Sequence, residues 1–478
     1  MKIDRWNLPI ALALAAVLGW TSAVLADNDN YAVWQNSRNI VMNTTASGAN
    51  VATDQTNFPI AVRLAGSDFP LGAKTDGTDI RFAKSDGTHL PYQIERWDNT
   101  NSAAAIWVKA DVLGNNGTQY IVMYWGNAAA GDSSSGAAVF DTANGFAGVW
   151  HLGETGNIDP QGYKDATYNG NDGTGFQTSG LDTPAVIGRG QYFVGTATPT
   201  GTGNQGLGSY IKIPDQVINV ASGTISIWAQ ITTLPITPAN ADVFGSWNTN
   251  NARYYFGCDA TGQLRAGYGP SKQFVTAAYK LTTNTYYYLT MAWSGTPTQA
   301  TMYVNDTLRG TSSAQAVAAP TDINIGSFGA GYSDPWIGPL DECRVDNVQR
   351  SADWLKLCYE SQKPGSAWIS LESTSAKGAG AQKPADAFEL QVNSPNRPAG
   401  LTSVRYTLPA GARVDLCIYN LQGGLVKRLV DAGNQDAGTH SLVWDGRNEL
   451  NRAVANGPYI CRISTPDFVK ATMVNLSR

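Results

Sequence analysis

The segment Trp336–Trp368, WIGPLDECRVDNVQRSADWLKLCYESQKPGSAW, decides how the rest of the chain is interpreted. It begins with an aromatic-rich stretch that predicts a strand, passes through a charged turn into one short predicted helix, and ends in an apolar strand. Most of the sequence before it consists of short apolar runs between turn residues, as strands require. We therefore expect this segment to close a large all-β domain.

The composition favours the same fold class. The 478 residues are enough for about two to four domains, and Gly (50), Trp (14) and Tyr (21) are abundant while only 15% of the residues are charged. Aromatic, Thr and Val residues between clusters of Gly, Asn, Asp and Ser favour strands and tight turns, and hence β-sandwiches. The net charge of −5 is not offset by a basic block, so no nucleic-acid partner is expected.

Residues 1–26 predict a signal peptide. Lys2 and Arg5 precede an apolar stretch from Leu8 to Leu18, and the small or modest residues that end at Ala26 provide a cleavage site. A membrane anchor is the alternative, but the apolar run is shorter than the roughly 20 residues that span a bilayer. We expect a mature chain without a transmembrane segment, secreted or held at the cell surface.

Five cysteines cannot all pair with one another, although export would permit disulfides. Cys343 on a predicted strand and Cys358 on the following helix form the first candidate pair. Cys417 and Cys461, on two strands near the end of the chain, form the second, with buried free thiols as the alternative. Cys258 is left over, and no Cys/His spacing predicts a zinc site.

Residues 27–128 form the first predicted unit. They contain FPIAVRL, DGTDIRFAKSDGTHLPYQIERWD, AIWVKADVL and YIVMYWGN in this order. These motifs resemble DUF2341, a domain of unknown function, which implies an extracellular β-sandwich and no known chemistry. The polar residues Asp79, Arg81, Asp86 and Glu95 are interpreted as turn and surface ion-pair residues. Small residues at 129–144 predict a connector.

Residues 145–372 form the second predicted unit. Alternation in TISIWAQ and TMYVND gives each strand a core face and an outer face, and a long series of short strands favours a jelly roll. VWHLGE, DATYNGNDGT, GSYIKIPD and PLDECRVDNVQRSADWL resemble the laminin-G-like jelly roll of the concanavalin A-like superfamily. DUF2341 followed by this domain is a familiar pairing in bacterial surface proteins.

Residues 373–387 predict a linker, because they lack apolar periodicity. In the third predicted unit, 388–478, the motifs VRYTLP, ARVDLCIYNLQGGLVKRLV, GTHSLVWDG and GPYICRIS resemble the FlgD-like immunoglobulin domain that often ends exported bacterial proteins. The resemblance implies a sorting, anchoring or assembly role with secretion or cell-envelope machinery. NSPNRP at 393–398 departs from the aromatic residue and NPF that relatives commonly carry, which weakens the sorting inference.

The resemblance to the laminin-G-like fold raises a calcium hypothesis. Calcium takes roughly six to eight oxygen ligands from carboxylates, Asn side chains and carbonyls. The loop DATYNGNDG supplies Asp165, Asn171 and Asp172, and Asp341 of the closing segment could approach it in the folded sandwich. The alternative is that the loop is a turn, for which Gly, Asn and Asp are equally suited.

Two segments mix aromatic residues with polar side chains that could fix sugar hydroxyls. The candidate ligand-binding residues are Trp247, Asn250, Arg253, Tyr254, Tyr332 and Asp334. Trp228, Trp293 and Trp336 stand in apolar strands, and we expect them in the core.

No catalytic residues are predicted. The spacing of Glu342 and Asp346 differs from the E-x-D-x-x-E arrangement of hydrolases in the superfamily, and His89, His151 and His440 fall in three separate units. The sequence therefore predicts an all-β binding protein, not an enzyme, that recognises a glycan, a polysaccharide or a cell-surface protein. A structural adhesin or surface-assembly protein without a small ligand is one alternative, and a glycoside hydrolase or lyase of concanavalin-like fold is another.

Overall fold

The computed structural model describes residues 31–154, 162–178, 182–195, 208–236, 240–246, 253–268, 273–295, 298–312, 318–329, 334–376, 389–393, 402–408, 412–435, 438–466 and 468–476. The predicted signal peptide lies outside these ranges. The sheets of the chain are antiparallel, which confirms the all-β prediction. The chain divides into two compact units, residues 1–377 and 378–478.

The first unit begins with a β-sandwich. Its strands and the short helix after them are β1 (Asn36–Met42), β2 (Gln55–Ala65), β3 (Arg81–Lys84), β4 (Tyr92–Asp98), β5 (Ala103–Val112), β6 (Gln119–Trp125) and α1 (Gly136–Val139). Within the described ranges, one sheet has the order β2-β5-β4 and the other contains β1-β6-β3. Alternation explains which face is buried: on β1, Ile40 and Met42 are fully buried while their neighbours are more exposed.

The stretch 129–144 is more than the predicted connector. Ser135 caps α1 by accepting a hydrogen bond from the backbone N–H of Ala138, and the next residues turn inward. Val139 and Phe140 are fully buried in the core of the first sandwich. The composition of this stretch is dominated by small residues, so it does not indicate that two apolar residues belong to the core.

A jelly roll follows. Its strands are β7 (Phe146–Trp150), β8 (Thr174–Phe176), β9 (Asp182–Pro184), β10 (Arg189–Phe193), β11 (Tyr210–Ile213), β12 (Ser222–Gln230), β13 (Asn240–Ser246), β14 (Tyr254–Asp259), β15 (Gln263–Tyr268), β16 (Gln273–Lys280), β17 (Tyr286–Gly295), β18 (Thr298–Val304), β19 (Thr307–Thr311), β20 (Ile323–Ile325) and β21 (Gly338–Asp346). In the described part of the chain they form an eight-stranded sheet, β19-β18-β17-β12-β21-β10-β9 with β7 beside β21, and a seven-stranded sheet, β16-β15-β14-β13-β20-β11-β8.

The jelly-roll core lies between these two sheets. Trp293 and Trp336 are fully buried there, as the sequence predicts. On β12, Ile225 and Ile227 face the same core. Trp228 is also buried, but it belongs to the core shared with the first sandwich.

After β21 the chain returns to the first sandwich. The returning elements are α2 (Ala352–Gln362), β22 (Ile369–Leu371) and β23 (Ser375–Ala376). Both strands pair antiparallel with β1, with Leu371 opposite Ile40. The boundary predicted at 372 and the linker predicted from 373 are therefore corrected, because the edge of β1 offers unpaired backbone groups that a distant segment can satisfy.

Helix α2 lies between the first sandwich and the eight-stranded sheet. Ser351 caps its first turn by accepting from the backbone N–H of Trp354 at 3.1 Å. The Trp354 ring packs edge-on against Phe58 of β2, with ring centroids 4.9 Å apart. Toward the jelly roll, the indole N–H of Trp228 donates to Gln362 Oε1 at 2.8 Å. The helix joins the two sandwiches rather than covering the jelly roll alone.

The predicted Cys343–Cys358 disulfide is not formed. Both thiols are free and buried. Cys343 packs in the jelly-roll core, whereas Cys358 of α2 packs in the core of the first sandwich. The helix follows the strand in sequence, but it packs against the other domain, and this separates the two sulfur atoms.

The second unit contains β24 (Glu389–Asn393), β25 (Thr402–Leu408), β26 (Ala412–Tyr419), β27 (Leu425–Gln435), β28 (Gly438–Trp444), β29 (Gly457–Thr465) and β30 (Phe468–Leu476). Its described strands form the sheets β24-β25-β28 and β27-β26-β29-β30. Cys417 lies opposite Arg462, and Cys461 lies opposite Ile418. The one-residue offset turns the two thiols to opposite faces of the sheet, so the predicted Cys417–Cys461 disulfide is also absent.

Candidate functional site

A buried polar cluster lies where the first sandwich contacts the jelly roll. Glu95 of β4, His151 after β7 and Glu342 of β21 bring one ligand atom each within 4.8 Å of one another. His151 Nδ1 is 2.6 Å from Glu342 Oε1 and 3.6 Å from Glu95 Oε2. The side chains of Glu95, His151 and Glu342 are 5%, 11% and 0% exposed, so their charges interact with little screening by water.

A β-bulge places Glu342 in this cluster. The register between β12 and β21 shifts there, and Glu342 adopts a left-handed φ of 52°. Leu340 and Cys343 on either side belong to the jelly-roll core, whereas Asp341 and Glu342 both turn away from it. Bulges re-aim side chains in this way, and the strained backbone conformation costs about 1–3 kcal/mol that the surrounding contacts must offset.

The central contact is an ion pair at neutral pH. Burial alone would lower the pKa of His151, but the carboxylates of Glu342 and Glu95 outweigh it and raise the pKa to about 9. Burial would raise the pKa of Glu342, but His151 and Arg344 outweigh it and lower the pKa to about 2. Arg344 Nη2 donates to Glu342 Oε2 at 2.7 Å. Glu342 therefore stays ionised between two cations.

Burial and a neighbouring charge favour the protonated form of Glu95. Burial and the negative charge of Glu342 raise its pKa well above the ordinary value, while the indole N–H of Trp107 donates to its Oε2 at 2.7 Å. Burial and Glu342 also raise the pKa of Asp341, whose Oδ2 accepts from the backbone N–H of Ile187 at 2.8 Å. The cluster thus combines one ionised carboxylate with two carboxyl groups whose pKa is raised.

Glu95, His151 and Glu342 are the described residues that could jointly reach one metal ion. Both oxygens of Glu342 already bond to His151 and Arg344, and these two cations neutralise its charge. A metal ion would have to displace a protonated imidazole beside a guanidinium. The donor set therefore does not favour a metal centre.

A half-open cavity of about 300 Å³ lies beside the cluster. Its lining includes Gln93, Glu95 and Arg96 from the first sandwich and His151, Glu154, Lys164 and Arg189 from the jelly roll. The lining therefore carries amide, carboxyl, imidazole, ammonium and guanidinium groups. Such convergence of polar groups is typical of a ligand site.

Two polar atoms of the residues that line this cavity lack a hydrogen-bond partner among the described residues. They are Glu154 Oε2 and Arg189 Nε, both buried. Glu154 Oε1 accepts from the backbone N–H of Lys164 at 2.9 Å, and burial raises the pKa of Glu154. Arg189 Nη2 donates to the Asp182 carbonyl at 3.1 Å. Buried polar atoms are nearly always bonded, so these two differ from the other polar groups beside the cavity.

A second polar cluster lies on the outer face of the seven-stranded sheet. Arg265 Nη1 is 3.2 Å from Asp334 Oδ2 and 3.7 Å from Asp242 Oδ2, and the guanidinium lies 4.7 Å from the centre of the Tyr255 ring. Asp242 is fully buried, and neither of its oxygens has a hydrogen-bond partner among the residues that the structure describes. Burial raises the pKa of Asp242 to about 8.

The predicted ligand-binding residues do not lie together in one described site. Asp334 belongs to this second cluster, and the Arg253 guanidinium lies 6.0 Å over the Phe328 ring. Tyr254 is fully buried in the jelly-roll core. Its prediction as a ligand residue is wrong, because alternation on β14 turns Tyr255 outward instead. Trp247, Asn250 and Tyr332 lie outside the described residues.

Of the predicted calcium residues, Asp165, Asn171 and Asp172 lie together in one loop, and Asp341 does not join them in the described part of the chain. Asp165 accepts hydrogen bonds from the backbone N–H groups of Val149, Thr167 and Asn171. Asp172 accepts from the Asp165 N–H and pairs with Lys164 at 2.7 Å. Neither carboxylate forms a potential metal group with Asp341 in the described part of the chain. The loop uses its oxygens as a turn does, and calcium binding stays a prediction.

Nothing in the sequence connects Glu95 with His151 and Glu342. The sequence predicts Glu95, Asp79 and Arg81 as turn or surface residues, but the Glu95 side chain is 5% exposed, and Asp79 and Arg81 are buried. Asp86 does hold a turn, accepting from the Thr88 N–H at 2.9 Å. The WHLGE motif is the one sequence feature that brings two of the cavity residues, His151 and Glu154, close together. It does not indicate that Gln93 and Glu95 of the first sandwich lie beside them.

Three family models match the chain in the order expected from its motifs. DUF2341, a domain of unknown function, matches residues 76–153. The concanavalin A-like lectin/glucanases superfamily matches 203–356, and the FlgD Ig-like domain matches 372–466. The comparison with curated proteins finds no match.

Solved structures show partial likeness. Domain 4 of AbnA, a GH43 extracellular arabinanase from Geobacillus stearothermophilus in complex with arabinotriose, has 15% identity and a TM-score of 0.30, covering 44% of this chain and 97% of that one. The SAP-like pentraxin of Limulus polyphemus has 16% identity and a TM-score of 0.27, covering 34% and 78%. The Ruminococcus gnavus IT-sialidase CBM40, bound to α2,3-sialyllactose, has 14% identity and a TM-score of 0.25, covering 29% and 83%.

Among the described residues, no helix has the length and apolar character that crossing a membrane requires.

Proposed function

We propose that this protein is an extracellular glycan-binding protein whose ligand occupies the cavity between the first sandwich and the jelly roll. The observation that carries the proposal is the convergence of amide, imidazole, carboxyl and cationic side chains on one cavity, where Glu154 Oε2 and Arg189 Nε also lack a partner among the described residues. A sugar hydroxyl both donates and accepts, so the hydroxyls of a glycan can bond both the carboxyl and the cationic groups of this lining. The match of residues 203–356 to a lectin/glucanase superfamily supports the ligand class.

The size of the cavity limits the ligand. About 300 Å³ is the lower end of the usual range for small-molecule sites. Because the cavity is half-open, a short stretch or an end of a glycan can enter while the rest of the chain stays in solvent. We therefore expect recognition of one or two sugar residues.

The location is tested by a glycan array followed by titration calorimetry on the full chain. In Glu154→Ala, loss of a buried hydrogen-bonding partner, worth roughly 1–3 kcal/mol, should weaken binding about tenfold or more. The matched control is Arg253→Ala on the outer face of the seven-stranded sheet, which should bind as the parent does. Weaker binding in Arg253→Ala with unchanged binding in Glu154→Ala would place the site on that outer face instead. If the full chain binds no glycan, the proposal is rejected.

Hydrolysis is the rival function at the same place. Burial raises the pKa of Glu95 while Glu342 is ionised, and a retaining glycosidase needs two carboxyl groups about 5–5.5 Å apart. However, Glu342 is fully buried with both oxygens bonded, so it has no path to a substrate. This arrangement supports binding, and we expect no release of reducing sugars from bound glycans.

Two further regions of the chain support export and an assembly role. The predicted signal peptide at 1–26 supports export, and the FlgD Ig-like match over 372–466 supports an assembly, sorting or anchoring role for the second unit. A surface-assembly protein without a glycan ligand remains the alternative. Self-assembly of the purified chain, together with a blank glycan array, would favour that alternative.

A further inference from the structure

The cavity between the first sandwich and the jelly roll is lined by cations whose carboxylate partners lie outside its lining. Arg96, Lys164 and Arg189 line the cavity. Their carboxylate partners are Asp98, Asp172 and Asp182, which are not part of its lining. The Arg96–Asp98 and Lys164–Asp172 pairs measure 2.9 and 2.7 Å. In each pair the cation lines the cavity and the carboxylate does not. The three pairs are neutral overall, but together they make the cavity favourable for a negatively charged ligand group.

Two carboxyl groups, Glu95 and Glu154, also line the cavity. Burial raises the pKa of both, which disfavours their negative charge. His151 adds a protonated imidazole, whose Nε2 lies 3.1 Å from Gln93 Oε1. The described lining therefore offers four cationic N–H donors beside two carboxyl groups whose ionisation burial disfavours.

We propose that the cavity selects acidic glycans, with the sugar carboxylate held by the cations of its lining, Arg96, Lys164 and Arg189. This inference rests on the proposed function and specifies its ligand. A guanidinium or ammonium N–H bonds an ionised oxygen more strongly than a neutral hydroxyl. Hexuronic acids and sialic acids share the required chemistry.

The test compares ligands that differ only in the carboxylate. Calorimetry on the full chain uses trigalacturonate against the same trimer with its carboxyl groups reduced to alcohols, and 3′-sialyllactose against lactose. At least one acidic member should bind about tenfold or more tightly than its neutral partner, and the two pairs tell a uronate from a sialate. Equal affinities, or preference for the neutral member, would overturn the inference while the proposed function stands. If neither pair binds and the glycan array finds only neutral ligands, the inference is likewise rejected.

Variants assign the preference to the cavity. Arg189→Gln should reduce the ratio of acidic to neutral affinity about tenfold, and Lys164→Gln, whose side chain is 67% exposed, should reduce it less without threatening the fold. The control is Lys212→Gln, which removes a cation paired with Asp322 at 3.0 Å on the seven-stranded sheet. An unchanged ratio in Arg189→Gln and Lys164→Gln, or an equal loss in Lys212→Gln, would contradict the assignment.

Discussion

His151 Nδ1 and Glu342 Oε1 lie 2.6 Å apart, although 191 positions separate the two residues in sequence. The contact ties the turn after β7 to the bulge in β21. Because both side chains are buried and Arg344 bonds the remaining oxygen of Glu342, removing one member leaves uncompensated charge. Breaking such buried pairs costs on the order of 3–5 kcal/mol.

The His151–Glu342 pair predicts a loss of stability in alkali. Folding raises the pKa of His151 from about 6.5 to about 9. The resulting gain in the free energy of unfolding is complete below pH 6.5 and is lost as the pH rises through about 9. The shift corresponds to roughly 3 kcal/mol. Denaturant unfolding between pH 6 and 10 should show this decline in the parent and a shallower one in His151→Gln. Parallel curves for the two proteins would refute the role of this pair.

Asp242→Asn should stabilise the protein at high pH. A carboxyl whose pKa is raised to about 8 contributes stability below its unfolded pKa, and this is lost as the pH rises through 8. Asn cannot ionise and has nearly the same shape, so the melting temperature at pH 9 should exceed that of the parent. Asp334→Asn, which leaves the buried carboxyl in place, is the comparison. A lower melting temperature in Asp242→Asn at pH 9 would show that the charge is needed.

Ending the chain at Arg350 should unfold the first sandwich. That chain lacks α2 and β22, hence Trp354 and the strand that pairs with β1. Hydrogen exchange of the β1 amides should become fast, whereas a chain ending at Lys377 keeps them protected. Equal protection in both shortened chains would mean that the first sandwich is complete without the returning segment.

Thiol titration should count five free cysteines. All five side chains are buried, and burial raises the pKa of Cys358 and Cys417 to about 11. A thiolate-directed reagent should therefore react slowly with the folded protein and completely after denaturation. A reductant should leave the melting temperature unchanged. Fewer than five thiols in the denatured, unreduced chain would indicate a disulfide.

Calcium can be tested at the Asp165 loop. Asp165→Ala removes the acceptor for three backbone N–H groups and should lower the melting temperature by several degrees with or without calcium. If the loop binds calcium, the parent melts higher with the ion present and the variant does not respond. Asp86→Ala, in a turn of the first sandwich, is the control for loss of an ordinary turn carboxylate.

Periodicity was enough to predict the strands and much of the core. TISIWAQ places Ile225 and Ile227 inward, and Trp293 lies where an apolar strand requires it. Tyr254 shows the limit, because an error of one residue in assigning faces exchanges core and surface along a strand. The junction could not be predicted, since Glu95 meets His151 and Glu342 only through packing between two domains. Local sequence patterns carry no information about such contacts.

The pairing of β22 with β1 makes the first sandwich discontinuous in sequence, with the jelly roll inserted between its parts. As the chain is synthesised, β1 appears early, but the strand that covers its edge follows only at Ile369–Leu371. Until then the apolar surface that awaits α2 stays uncovered. The species most prone to aggregate is therefore the chain that has not yet reached Ile369, so a chaperone or a rapidly folding jelly roll has most effect before the second unit is synthesised.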